Sequence, residues 1–171
     1  PTKEVSRHHK VTVSTSGLVS VLGGKWTTYR KIAEDTVNTV QTVGGFPEKK
    51  CNTEEIPIYG YDQNTNWQNP LHFYGTEAKK IESLSKDGNK SLSKKIHITK
   101  NQILWALREE MAITLEDILA RRMRCLFLDS FESEILAEEV VNIMADEMKK
   151  NSTWINQELK NFKSLVKNYK I

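Results

Sequence analysis

Residues 5–22, VSRHHKVTVSTSGLVSVL, place valines among Ser, Thr and basic residues and are divided at Ser16-Gly17. Short β-branched runs on either side of a turn signal predict a hairpin-like pair of strands over 5–13 and 18–22. From Thr27 the period changes. Tyr29, Ile32, Ala33, Thr36, Val37 and Val40 recur at intervals of three and four, which is one apolar stripe on a helix, and Gly44-Gly45 and Pro47 end it. Residues 43–70 then carry Gly, Asn, Asp and Pro throughout, with EIPIYGY their only local apolar pattern. A connection of that length predicts a domain boundary or an extended crossing.

Beyond residue 70 every pattern is helical. Thr76 is placed to cap a helix bearing Ala78, Ile81 and Leu84, which the Ser/Lys/Asn/Gly-rich stretch 85–95 closes. Thr99 with Gln102 forms a capping-box signature ahead of Ile103, Leu104, Leu107 and Met111. Thr114 with Asp117 is a weaker relative of that motif and opens TLEDILARRMRCLFLD, with Leu115, Ile118, Leu119 and Leu126 on its apolar side. Asp129 with Glu132 starts a helix bearing Leu136, Val140, Ile143 and Met144. Asn151 or Ser152 starts the last, with Ile155, Leu159, Phe162, Val166 and Tyr169. Five capped amphipathic helices with short connections predict a bundle-like all-α unit over 71–171. The expected fold is therefore mainly α, with a β-β-α segment over 1–42 and a connecting segment over 43–70.

Charge adds an asymmetry. The 171 residues carry a net charge of +3, yet residues 1–50 hold eight Lys/Arg against four Asp/Glu, and residues 51–171 hold seventeen against eighteen. The excess positive charge lies in the segment that contains the first helix. A nucleic-acid binder would present a denser basic face with interleaved aromatics, so nucleic acid is not expected as a partner. Cys51 and Cys125 belong to no CxxC or Cys/His pattern and are expected to be free thiols in a reducing compartment. No apolar run approaches membrane-spanning length and no leader resembles a signal peptide, which points to a cytoplasmic protein. The sequence opens on Pro1 and reads as a piece of a longer chain.

The candidate chemistry sits where strand gives way to helix, in SVLGGKWTTYRKIAEDTVNTV, residues 20–40. A strand that ends in Gly23-Gly24 and turns directly into a helix gathers unpaired backbone N–H groups and the positive end of the helix dipole at one point. Such a point suits anions, glycines allow close backbone approach, and Lys25 adds a full charge. Tight packing of the turn, with Thr27 or Thr28 as helix cap, accounts for the same residues without a ligand. The pattern is neither a Walker A loop, since Val19 and Trp26 stand where Gly and Ser/Thr are needed, nor GxGxxG. His8 and His9 are adjacent and so point to opposite faces of a strand, with packing or solvent roles expected. His72 and His97 lack partners at ligand spacing. Arg121, Arg122 and Arg124 follow Glu116 and Asp117 and predict a salt-bridged helix surface rather than an anion patch. Trp105 and Trp154 are expected to anchor helices to one another.

SRHH followed by SGLVSVLGGKWTTYRKIAEDTV resembles the end of the flavin domain of FAD-dependent glycerol-3-phosphate dehydrogenases and the related α-glycerophosphate oxidases. LHFYGTEAKKI and REEMAITLEDILARRMRCLFLD resemble the helical C-terminal domain of the same family. The resemblance implies that the backbone at Gly23, Gly24, Lys25 and Trp26, with Thr27 beside it, faces the pyrimidine edge of FAD, the glycines permitting that approach. Lys25 would reach the substrate side of the ring as the catalytic and substrate-binding lysine, and Arg7 would pair with the phosphate of glycerol 3-phosphate. The acceptor would be quinone or oxygen, and no metal is implied.

The Rossmann unit that holds the adenine and pyrophosphate in this family precedes anything present here. By resemblance the chain is the last third of an oxidoreductase: a remnant of the flavin domain, then the helical domain. Alone it is expected neither to bind FAD tightly nor to catalyse, and its strands, lacking their neighbouring sheet, are expected to be partly mispaired over 1–24. The alternative is a helical interaction or regulatory module without chemistry of its own. In either case the helical part is a candidate for contact with a membrane surface or a second copy.

Overall fold

The computed structural model describes residues 8–170, which fall into two compact units, one ending at Ile58 and the other beginning at Tyr59. In the first unit, strands β1 (Lys10–Val13) and β2 (Val19–Leu22) pair antiparallel, with Lys10 opposite Leu22 and Val13 opposite Val19. Ser14 holds the turn: its carbonyl accepts from Gly17 N–H and its hydroxyl from Leu18 N–H. The expected mispairing is not found over these residues, because the hairpin is closed by its own turn and needs no third strand to fix its register. Residues 5–7 of the first expected strand lie outside the described residues.

A 3₁₀ turn, Trp26–Thr28, leads into α1 (Tyr29–Val43). Gly44 and Gly45 end α1 as predicted, with Gly45 left-handed and Phe46 N–H returning to the Gln41 carbonyl. The apolar stripe of α1 is present but uncovered: Tyr29, Val37 and Val40 are exposed.

The second unit is helical: α2 (Ala78–Ser83), α3 (Lys100–Glu109), α4 (Cys125–Leu128), α5 (Ser130–Met148) and α6 (Ser152–Val166). Helix α5 is the hub and packs against α3, α4 and α6. Its Leu136, Val140, Val141 and Met144 join Ile103, Leu115, Ile118, Leu119, Leu126 and Phe162 in the main core. Each such side chain contributes about 1.5–3 kcal/mol when fully buried. A smaller cluster gathers Leu71, Ala78, Ile81 and Trp105. Trp154 packs against the main core, so both tryptophans anchor helices as expected.

The caps follow the sequence closely. Thr99 and Gln102 form the reciprocal capping box, Asp129 accepts from Glu132 N–H, and Asn151 accepts from Trp154 N–H. Thr114 and Asp117 also bond reciprocally, each side chain accepting the other's backbone N–H. Thr76 is the exception. Helix α2 has no side-chain cap, and the Thr76 hydroxyl donates to the neighbouring Glu77 carboxylate. The stretch expected as one helix from Thr114 to Asp129 is interrupted by a π-helical turn over Asp117–Arg122, closed by Met123 N–H to the Ile118 carbonyl, and by left-handed Arg124. Met111, expected on the buried side of α3, is 84% exposed.

Candidate functional site

The strand-to-helix corner brings Gly23, Gly24, Lys25 and Trp26 together along an open depression of about 590 Å³, with Tyr29 and Ile32 of α1 forming part of its wall. Gly23 and Gly24 both have positive φ, 72° and 97°, which swings the chain from β2 into the helix start. Lys25 is extended at the N-cap position. No side chain caps the turn and no acidic residue stands within its first turn. The first-turn amides are therefore left without a side-chain partner at the positive end of the dipole, with Lys25 at the N-cap position.

Four expectations for this corner need correction or restriction. Thr28 does not cap: its hydroxyl and its N–H both donate to the Lys25 carbonyl, and α1 has no side-chain cap either. Thr27 is exposed and does not line the depression. Gly24 lacks a side chain for an internal reason, because a Cβ there would stand 2.6 Å from Ile32 Cδ1 and 3.2 Å from His9 Cβ. Arg7, expected to hold the substrate phosphate, lies outside the described residues.

Sequence reasoning missed how the corner is tied down. His9 Nε2 lies 2.8 Å from Asp35 Oδ2, linking the entry of β1 to α1, and Lys31 holds the other Asp35 oxygen at 3.0 Å. The Lys31 ammonium first, and His9 after it, hold the Asp35 carboxyl below the usual carboxylate range. Arg30 is similarly committed, donating to Glu34 at 2.8 Å and Glu54 at 2.9 Å, and so fastens the 53–54 segment to α1. Nothing in local spacing signals the His9–Asp35 bond, which joins residues 26 apart.

The helical unit carries cavities of its own. Its cavity of about 460 Å³ beside Phe73, His97 and Gln102 contains Lys95, already paired with Asp129 and Glu132. Arg121 pairs with Glu116 and Asp117 as the spacing predicts, while Arg122 donates to the Glu110 carbonyl. Among the described residues no group of three His, Cys, Asp or Glu is placed to hold a metal, and no helix is long and apolar enough to cross a membrane. Both cysteines are free, Cys51 half-buried and Cys125 buried.

The described residues thus combine a strand–Gly-Gly–helix corner in the first unit with a helical second unit. A family model described as the C-terminal domain of alpha-glycerophosphate oxidase matches residues 18–154, and the chain belongs to that family. The chain is 34% identical to the probable mitochondrial glycerol-3-phosphate dehydrogenase of Dictyostelium discoideum, the match covering 97% of this chain and 29% of that protein. A similarly named protein of Caenorhabditis elegans is 31% identical, over 86% of this chain and 24% of its own. Glycerol-3-phosphate dehydrogenase 1 of Mycobacterium tuberculosis is 32% identical, over 72% of this chain and 26% of its own. The chain thus spans about a quarter to a third of the length of these relatives.

Proposed function

We propose that this chain is the C-terminal part of a flavoprotein that oxidises sn-glycerol 3-phosphate to dihydroxyacetone phosphate. In that reaction the C2 hydroxyl loses its proton and the C2 hydrogen departs as hydride, and FAD, when bound, supplies the hydride acceptor. The observation that carries the reading is the uncapped helix start with Lys25 at its N-cap, in a chain of the α-glycerophosphate oxidase family. The donor set suits the group. Backbone N–H groups and an ammonium are the partners an electron-rich ring edge needs as negative charge develops on it. In this proposal the backbone from Gly23 to Trp26 faces that edge, Lys25 meets the anionic substrate and Arg7 binds its phosphate, with Thr27 at the helix start.

Residues 1–42 are on this reading a remnant of the flavin domain, 43–70 the connection, and 71–171 the helical domain. The chain alone would neither hold FAD tightly nor turn over, since one corner of a ring site cannot replace a pyrophosphate-binding unit. Quinone or oxygen completes the cycle. Cytoplasmic placement, peripheral to the membrane where quinone is the acceptor, belongs to the proposal for this chain, although the Dictyostelium and C. elegans relatives carry mitochondrial names. The test is the full-length protein, purified and titrated anaerobically with sn-glycerol 3-phosphate. Its flavin absorbance should bleach; a protein that carries no flavin, or whose flavin stays oxidised, refutes the reading.

A further inference from the structure

The ββα unit contains no fully buried residue at its described positions. Apolar burial therefore does little to fix the hairpin against α1, and specific polar ties between the two elements carry more of the geometry. The bond between His9 and Asp35 is such a tie, and it lies against the corner. The stem of His9 forms one wall of the slot that Gly24 occupies, and Ile32 forms the other. Past that slot the imidazole reaches Asp35 at 2.8 Å, and Lys31 holds the far side of the same carboxylate at 3.0 Å. Ile32, Lys31 and Asp35 all belong to the first turns of α1, so slot, tie and helix start are one construction.

We propose that His9 and Asp35 are positioning residues for the Gly23–Trp26 corner: their hydrogen bond holds the strand entry to α1 and fixes the slot around Gly24 from which the first-turn amides are presented. The identity of what those amides meet rests on the flavoprotein reading above; the positioning does not. Neither residue is assigned contact with substrate or cofactor. The consequence is kinetic and electronic. When the corner loosens, donors aimed at a developing charge lose alignment, and modest misplacement of such groups costs about tenfold or more in rate.

The first test uses the 171-residue chain and amide hydrogen exchange at Thr28 and Tyr29, the corner's amides that bond to the Lys25 and Trp26 carbonyls. His9→Ala should speed exchange there about tenfold, the equivalent of one ordinary hydrogen bond, without changing exchange in α5. His9→Gln, whose amide nitrogen reaches as far as Nε2, should restore the slow rate. Unchanged exchange in His9→Ala overturns the proposal. If His9→Ala melts the unit, His9→Asn decides, because it keeps the stem against Gly24 but stops short of Asp35; exchange equal to wild type in that variant overturns the proposal equally.

The second test uses the full-length flavoprotein and reads the flavin midpoint potential together with the rate of flavin reduction at saturating sn-glycerol 3-phosphate. His9→Ala should make the potential more negative and slow reduction about tenfold, with flavin content retained and His9→Gln close to wild type. A wild-type protein without flavin removes the functional reading and leaves the exchange result standing. An active wild type that His9→Ala matches in both potential and rate removes the positioning role alone.

Discussion

Gly75→Ala should be among the most damaging small substitutions in the helical unit, for a reason visible in the backbone. Gly75 has φ 55° and ψ −125°, a combination that residues with a Cβ avoid. A Cβ there would stand 1.6 Å from the Gly60 carbonyl oxygen and 2.8 Å from its carbon. That same oxygen accepts the Thr76 N–H at 3.1 Å. The obstacle is main chain and cannot swing aside, so relief requires the turn at Gly60 to retreat and the hydrogen bond to break. Backbone strain of this kind costs about 1–3 kcal/mol and a lost hydrogen bond about 0.5–1.5 kcal/mol, which together give about 1.5–4.5 kcal/mol. Gly60→Ala is the control. Gly60 also has positive φ, 81°, but its Cβ would meet only the Tyr74 carbonyl oxygen at 3.5 Å, so strain alone remains, about 1–2 kcal/mol. Urea unfolding followed by circular dichroism separates the two. With a slope of about 2 kcal/mol/M, Gly75→Ala should lower the midpoint by about 1–2 M. A Gly75→Ala protein within about 0.5 kcal/mol of wild type, the range of an ordinary surface change, or more stable than Gly60→Ala, would refute the reasoning.

In the full-length enzyme, Lys25→Ala should lower kcat/KM for sn-glycerol 3-phosphate about ten- to a hundredfold, as expected for a lost hydrogen bond to a charged group; unchanged steady-state kinetics would return Lys25 to an ordinary surface charge. Asp129 accepts from the Glu132 N–H at the start of α5, and that bond first, with Lys95 after it, lowers its carboxyl pKa. Its contribution is therefore present above the unfolded-state value near pH 4 and is lost as pH falls through the lower folded value, so the gap in urea midpoint between wild type and Asp129→Ala should be constant near neutrality and shrink below about pH 4. Of the two thiols, Cys51 should be alkylated by iodoacetamide in the native chain, since it is half-buried and hydrogen bonding from Thr53 lowers its pKa. Cys125, pushed up to about 11 by burial, should react only on unfolding, and mass spectrometry of the labelled peptides would show the reverse if the packing around α4 were wrong.

The helical unit was legible because its caps and stripes are local signals. Thr99 with Gln102, Asp129 with Glu132, and the stripe from Leu136 to Met144 each lie within a few turns of chain and are read without knowing what they pack against. What failed there depended on contacts distant in sequence. Met111 continues the apolar period of α3, but Arg122 takes the Glu110 carbonyl and Ala112 N–H returns to Ala106, so the helix stops and Met111 turns left-handed to the surface. The segment from Leu115 to Leu126 keeps an unbroken helical spacing of apolar residues in the sequence. The fold reaches the same burial with a π turn and a left-handed Arg124, which bring Met123 and Cys125 into the core as well. Periodicity reports which side chains are inside and is blind to a single extra residue in the path between them.

The corner shows the opposite limit. Gly-Gly-Lys at a change of period reads equally as a ligand cradle or as a tight turn, and Gly24 alone does not discriminate, because its φ of 97° and the nearness of Ile32 and His9 already favour glycine there. Glycine is favoured there whether or not anything binds. The case for a ligand instead rests on what the turn leaves undone: Thr28 spends its hydroxyl on the Lys25 carbonyl, no other side chain caps the first turn, and Lys25 places positive charge where the dipole is already positive. A folding optimum would put Ser, Asp or an acid at these positions. In a family named for glycerophosphate oxidation, an electron-rich partner bound at the helix start is the arrangement that would compensate both defects at once.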